Sequence, residues 1–230
     1  MLVELAVLMV AAVSDIRTRE VDDRVWILGG LVLAPFVAYE LLYGYASLVL
    51  YILSVAVGLG YAVLIWFLGV MGDADVLALA FISVFTPPLR LTPCLSSALA
   101  VVLDSIPGVI AYAILNVYYN LRSGAGFRGY EAGLLSRIYA FLSMRYVDKE
   151  EYSGKRYMYA PGYTVEKGRR VIRPRLGVDE GDAEEFSGGW AVVYAPYVAV
   201  LAAGFAVYVL LVLVGGSGCP LDFLLYGKHI

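Results

Sequence analysis

Of the 230 residues, 61% are hydrophobic and only 16% charged, with a mean hydropathy of +0.77, whereas a soluble domain is nearer half apolar and a quarter charged. That balance excludes an ordinary water-shielded globular domain, and a net charge of −3 gives no electrostatic footprint for nucleic acid. The chain reads as an all-α polytopic membrane protein: about six transmembrane helices, a small cytoplasmic insertion before the last helix, and the lipid bilayer as its main solvent.

The first predicted helix runs from Met1 to about Ser14 and ends at Asp15. Ala11-Ala12-Val13-Ser14 has the small residues of a signal-peptide cleavage site. Met1-Leu2-Val3-Glu4, however, carries an acid where a secretory signal carries bases, so the segment is read as a permanent helix. The second helix is predicted over Val25 to Tyr43 and the third over Ala46 to Leu68, linked by Gly44-Tyr45. The fourth starts at Asp73 and is stopped by Thr86-Pro87-Pro88.

For the fifth, Asp104-Ser105-Ile106-Pro107 offers an N-cap with proline in the first turn. The helix is therefore expected from Asp104 to near Asn120, with Leu95 to Leu103 as a separate interfacial helix and Asp104 as a cap at the outer surface. Residues 121–189 form the soluble insertion, marginal in size for a core of its own. They carry an amphipathic stretch (Leu134 to Tyr146), a tyrosine strip (Tyr157, Tyr159, Tyr163) and an acidic run from Asp179 to Glu185, read as a solvated loop. The sixth helix covers Trp190 to Val214 and stops at Gly215-Gly216. The expected division is a membrane domain of residues 1–120, the insertion 121–189, and a last helix with an outer tail over 190–230.

Cys94 and Cys219 lie far apart without C-x-x-C spacing, so a four-thiolate zinc site is excluded. A disulfide stays open if both face outward; two plain thiols is the preferred reading.

Basic residues favour the cytoplasmic side of a membrane. With the N-terminus outside, residues 15–24, the turn between the third and fourth helices and residues 120–189 become cytoplasmic. Fifteen of the seventeen lysines and arginines then face inward, leaving only Arg90 and Lys228 outside. Asp15 and Asp73 fall at the same, cytoplasmic, depth in this topology, which rests on the lysines and arginines alone. Glu4 and Glu40 fall toward the outer face and read as interfacial.

A carboxylate at membrane depth is costly and marks a candidate functional site. Two close carboxylates share one proton and titrate as a unit. One can take a proton from water while the other protonates the substrate, which hydrolyses a peptide bond with no metal and no cofactor. Gly72 beside Asp73 leaves room for a substrate backbone. On spacing alone the plainer reading competes: Asp15 as a helix-end charge beside Arg17 and Arg19, Asp73 as a helix cap. Asp75 reads as a solvated first-turn acid, and Asp22 and Asp23 as loop charges.

Ser14-Asp15-Ile16-Arg17-Thr18-Arg19-Glu20-Val21 before an apolar helix, and Gly72-Asp73-Ala74-Asp75-Val76-Leu77 opening a later one, resemble the type IV prepilin peptidase family. The likeness is to its archaeal branch, the preflagellin (prearchaellin) and prepilin peptidases, which are G-x-G-D-type membrane aspartic proteases. It implies catalysis by Asp15 and Asp73, Gly72 as site backbone, and cleavage of short leaders from archaellin or type IV pilin-like precursors at the cytoplasmic face of the plasma membrane. Asp22, Asp23 and Asp75 become candidate contacts for a basic leader. Val70 stands where the motif has its first glycine, and Asp75 where a lysine is often found. The cysteine-rich region of bacterial members is absent, which argues against their methyltransferase activity. Two alternatives remain: a presenilin-like protease cutting within helices, and a non-enzymatic proton- or ion-conducting membrane protein.

Overall fold

The computed structural model describes residues 1–43, 46–68, 71–88, 94–166, 168–173, 186–214 and 219–220. Gly44-Tyr45, Gly69-Val70, Arg90, Lys167, Arg175, the acidic run 179–185, Gly215-Gly216 and Lys228 lie outside the described residues. The chain forms two compact units, Met1–Gly108 with Pro196–Ile230, and Val109–Ala195.

The first unit is helical. Its elements are α1 (Leu2–Thr18), α2 (Asp23–Leu42), α3 (Leu48–Phe67), α4 (Asp73–Phe85), the first part of α5 (Ser97–Arg122), and α8 (Tyr197–Leu213). α1 packs against α2 and α8, and α4 against α2, α3 and α8. The shared core includes Leu8, Ala11, Leu79, Ile82, Val101 and Phe205. Where helices press closest, small residues make the room, as is usual when lipid supplies no hydrophobic drive between them. A methyl on Gly204 would stand 2.1 Å from Ser105 Oγ and 2.7 Å from Val101 O, so α8 needs glycine there to lie on α5. The outward faces of α2 and α3 are apolar and exposed, with Leu31, Val49 and Phe67 among them.

α2, α3 and α5 are each long and apolar enough to cross a bilayer. α1 and α8, at 17 residues, and α4, at 13, are shorter; at 1.5 Å per residue α4 covers only about 20 Å of a hydrocarbon layer about 30 Å thick. Three of the six expected spans are thus long and apolar enough to cross a membrane by length and composition.

α5 is the largest departure from the sequence reading. It is one helix of 26 residues with Pro107 inside it, not a cap at Asp104 preceded by a separate helix. Proline removes one ladder bond and crowds the carbonyl four residues back, yet the helix continues through it, with apolar turns on both sides. Asp104 is consequently buried rather than at a surface, and its Oδ2 has no hydrogen-bond partner. Glu4, expected at an interface, is also fully buried and accepts a hydrogen bond from the Thr86 hydroxyl. That contact joins the start of α1 to the end of α4, so the two helices run antiparallel. Beyond the same end, Cys94 and Cys219 are joined in a disulfide, against the preferred reading of free thiols.

The chain is mostly helical, as expected, but the second unit adds a small sheet region to the all-α reading. Among its described residues, besides the end of α5, it holds α6 (Leu134–Ser143), the short α7 (Lys149–Gly154) and six strands: β1 (Tyr130–Glu131), β2 (Met144–Val147), β3 (Tyr159–Pro161), β4 (Thr164–Glu166), β5 (Arg169–Val171) and β6 (Gly189–Val193). They form two three-stranded sheets, ordered β1-β5-β4 and β2-β6-β3. The final helix therefore starts at Tyr197 and not at Trp190, because residues 189–193 are the central strand of the second sheet. Trp190 is fully buried, stacks on Phe127 at 4.9 Å and donates its indole N–H to Gly126 O. Asn116 and Asn120 on α5 satisfy the turn from α6 into β2. Asn116 Nδ2 donates to Leu142 O, and Asn120 both donates to Met144 O at 2.8 Å and accepts from Tyr146 N at 3.0 Å.

Candidate active site

α1 carries Asp15 one turn before its end, on the face that buries Leu8, Ala11 and Ala12. Three and four residue steps from Leu8 and Ala11 lead to Asp15, so a core-facing stripe ends in a carboxylate. Asp15 is only 5% exposed, and its Oδ2 lies 3.4 Å from the Ala199 N–H in the first turn of α8. The sequence reading placed it just beyond the helix; the structure places it inside the last turn.

α4 begins at Asp73 as expected, but the acid it turns inward is Asp75. The helix buries Asp75, Ala78, Leu79 and Ile82, a run of three, four and seven residue steps. Asp73 and Leu77 fall on the opposite face and are exposed. Asp73 Oδ1 accepts a hydrogen bond from Trp66 Nε1 at 3.2 Å. Asp75 is 7% exposed and not the solvated acid that the sequence suggested. Its Oδ2 accepts from the Gly72 N–H at 3.1 Å, while the Asp75 and Val76 amides donate to Gly72 O. Gly72 thus serves as the cap around which Asp75 folds back.

Asp15 and Asp75 interact electrostatically, both lie against the Val198 amide at the start of α8, and the Arg19 charge reaches both. Arg19 Nη1 stands 4.0 Å from Asp15 Oδ1. The first turn of α8 is where unpaired N–H groups and the positive end of the helix dipole collect, a favourable place to hold a carboxylate. The site therefore consists of two buried acids from separate helices, one guanidinium and two amides. Chemically this is the minimum for acid–base hydrolysis: a group to activate water and a group to protonate a carbonyl. Among the described residues, no group of three or more His, Cys, Asp or Glu could hold a metal ion.

Over residues 2–119 the sequence matches the model of the Type IV leader peptidase family. The chain belongs to that family. It is accordingly a peptidase and a membrane protein, of a family that acts on type IV precursors. No curated protein and no solved structure matches the chain.

Asp22 and Asp23, the candidate leader contacts, are exposed at the start of α2. Asp22 is its N-cap and accepts from the Arg24 N–H at 2.9 Å. The roles of two site residues differ from the sequence reading, which names Asp75 only as a solvated acid and leader contact and Arg19 only as a charge beside Asp15. Asp75 could have been found from the helical stripe it shares with Ala78, Leu79 and Ile82. Arg19 could not: its side chain is turned inward by a left-handed backbone, φ 59, that no residue pattern announces.

Proposed function

We propose that the protein is an aspartic endopeptidase that removes short leaders from type IV pilin-like or archaellin precursors, with Asp15 and Asp75 as the catalytic pair. The carrying observation is the burial of these two acids, from α1 and α4, against the first turn of α8. This moves the family's G-x-G-D aspartate two residues, from Asp73 to Asp75. The aligned stretch becomes Gly72-Asp73-Ala74-Asp75: the motif's first glycine is kept as Gly72, its second is replaced by Ala74, and Leu77 stands at the lysine position. Val70 then falls outside the motif. Asp73 becomes an exposed residue of the substrate-facing rim, with Asp22 and Asp23, where acids would attract a basic leader.

The site lies at the cytoplasmic face in this reading. Arg17, Arg19 and Arg24 flank it in sequence, and inward-facing arginines are the rule. The Cys94–Cys219 disulfide sits beyond the opposite end of the α1–α4 pair, which fits an oxidising outer compartment. No cofactor is required, and methyl transfer is not part of the proposal.

The direct test is to incubate membranes carrying the protein with a pilin-like precursor and to sequence the product's new N-terminus. A cut just before the precursor's hydrophobic segment supports the reading. An uncut precursor contradicts it, and a cut within the hydrophobic helix would point to a presenilin-like protease instead.

A further inference from the structure

Arg19 closes α1 in the left-handed region, φ 59 and ψ 17, with its amide bonded to Asp15 O at 3.0 Å. Left-handed backbone is unfavourable for a long side chain, and an arginine near a membrane surface ordinarily extends its head to water. Here the opposite holds. The side chain is 11% exposed, Nη1 stands 4.0 Å from Asp15 Oδ1, and Nε and Nη1 are buried with no hydrogen-bond partner. Arg17 and Arg24, close in sequence, are exposed. The backbone thus delivers one guanidinium to the acids and leaves its donors unspent.

We propose that Arg19 is a positioning residue that holds the pair's single negative charge on Asp15, which makes Asp15 the base and Asp75 the acid in the attack step. The inference rests on the Asp15–Asp75 reading above. Asp15 takes a proton from water as the water oxygen bonds to the scissile carbonyl carbon, and Asp75 gives its proton to the carbonyl oxygen. The neutral diol that results then collapses. Protonated Asp15 passes its proton to the amide nitrogen as the C–N bond breaks, and Asp75 recovers a proton from the diol hydroxyl. The products are an acid and an amine, and the pair returns to its starting state. Among the described residues, the charged groups that interact with Arg19 are Asp15 on its own helix and Asp75 on α4. α8 presents the Val198 and Ala199 amides. Arg17, Glu20, Asp22, Asp23 and Asp73 are exposed.

The test is the pH dependence of kcat/KM for cleavage of a precursor by the full-length protein, comparing wild type with Arg19→Gln, Arg19→Lys and Asp75→Asn. Loss of a positive charge at this range makes the anion harder to form by about one unit. Arg19→Gln should therefore move the acid limb of the profile about one pH unit upward, with activity partly regained as the pH is raised. Arg19→Lys keeps the charge and should hold the wild-type limb within a few tenths of a unit. An unmoved limb with a uniform loss at every pH in Arg19→Gln overturns the proposal. So does a full-unit shift in Arg19→Lys, which decides the matter even where the glutamine variant does not insert. Failure of the underlying pair looks different: Asp75→Asn would then cleave normally.

Discussion

Asp15 near the end of α1 and Asp75 near the start of α4 are brought together because the two helices run antiparallel, pinned at their other ends by the Thr86 hydroxyl on Glu4. Neither acid faces water, and both turn toward the amides of α8. A pair assembled from three separate segments is sensitive to helix register. A rotation of α4 by two residues, about 200°, would present Asp73 instead and turn Asp75 away.

The disulfide gives a test of both stability and orientation. Cys94 and Cys219 close a loop spanning 125 residues, and removal of such a link costs about 2–5 kcal/mol. Cys94→Ser should lower the unfolding temperature in detergent while leaving precursor cleavage measurable under permissive conditions. In intact cells, a membrane-impermeant reductant followed by an impermeant thiol reagent should label the wild type at these two positions. Labelling only after permeabilisation would reverse the orientation.

Asn120 is buried and serves the backbone at both ends of its amide, bonding Met144 O and Tyr146 N. Asn120→Ala leaves both groups without partners at a cost of about 1–3 kcal/mol each. The expected outcome is earlier unfolding of the second unit, seen as a change in the fluorescence of Trp190. Unaltered melting would mean that water replaces the amide.

Alkaline pH should loosen the same unit. Burial, and the Glu151 carboxylate that accepts from its hydroxyl at 3.0 Å, push the Tyr159 phenol up to about 12, against about 10 when unfolded. The folded state keeps its proton longer, so this contribution is fully present below pH 10 and is lost as pH rises through 12. Tyr159→Phe should flatten the decline in stability between pH 10 and 12, read by thermal melts across that range.

How much of this was legible in the sequence follows from what each residue needed. The bounds of α4 are legible because glycine and an acid open it and Thr86-Pro87-Pro88 close it. Asp15 stands out because an acid that terminates an apolar run is conspicuous. Asp73 stands out over Asp75 in the sequence because it adjoins Gly72, a local cue; the stripe through Ala78, Leu79 and Ile82 is the cue that ties Asp75 to the core. α5 is not legible because Asp-Ser-Ile-Pro imitates a helix start, and only the structure, with Ser105 packed beneath Gly204, shows the helix passing through. The strands of the second unit were hidden for another reason. They are two to five residues long, too short for alternation to emerge from a window of ordinary length.

Which aspartate of α4 does the chemistry decides the assignment of the pair. Cleavage of a pilin-like precursor should be measured with Asp15→Asn, Asp73→Asn and Asp75→Asn in membranes, after each variant is shown to insert. Loss of a required acid or base lowers the rate by about a hundredfold or more. That loss is expected for Asp15→Asn and Asp75→Asn, with Asp73→Asn within a few-fold of wild type. An inactive Asp73→Asn beside an active Asp75→Asn would contradict it.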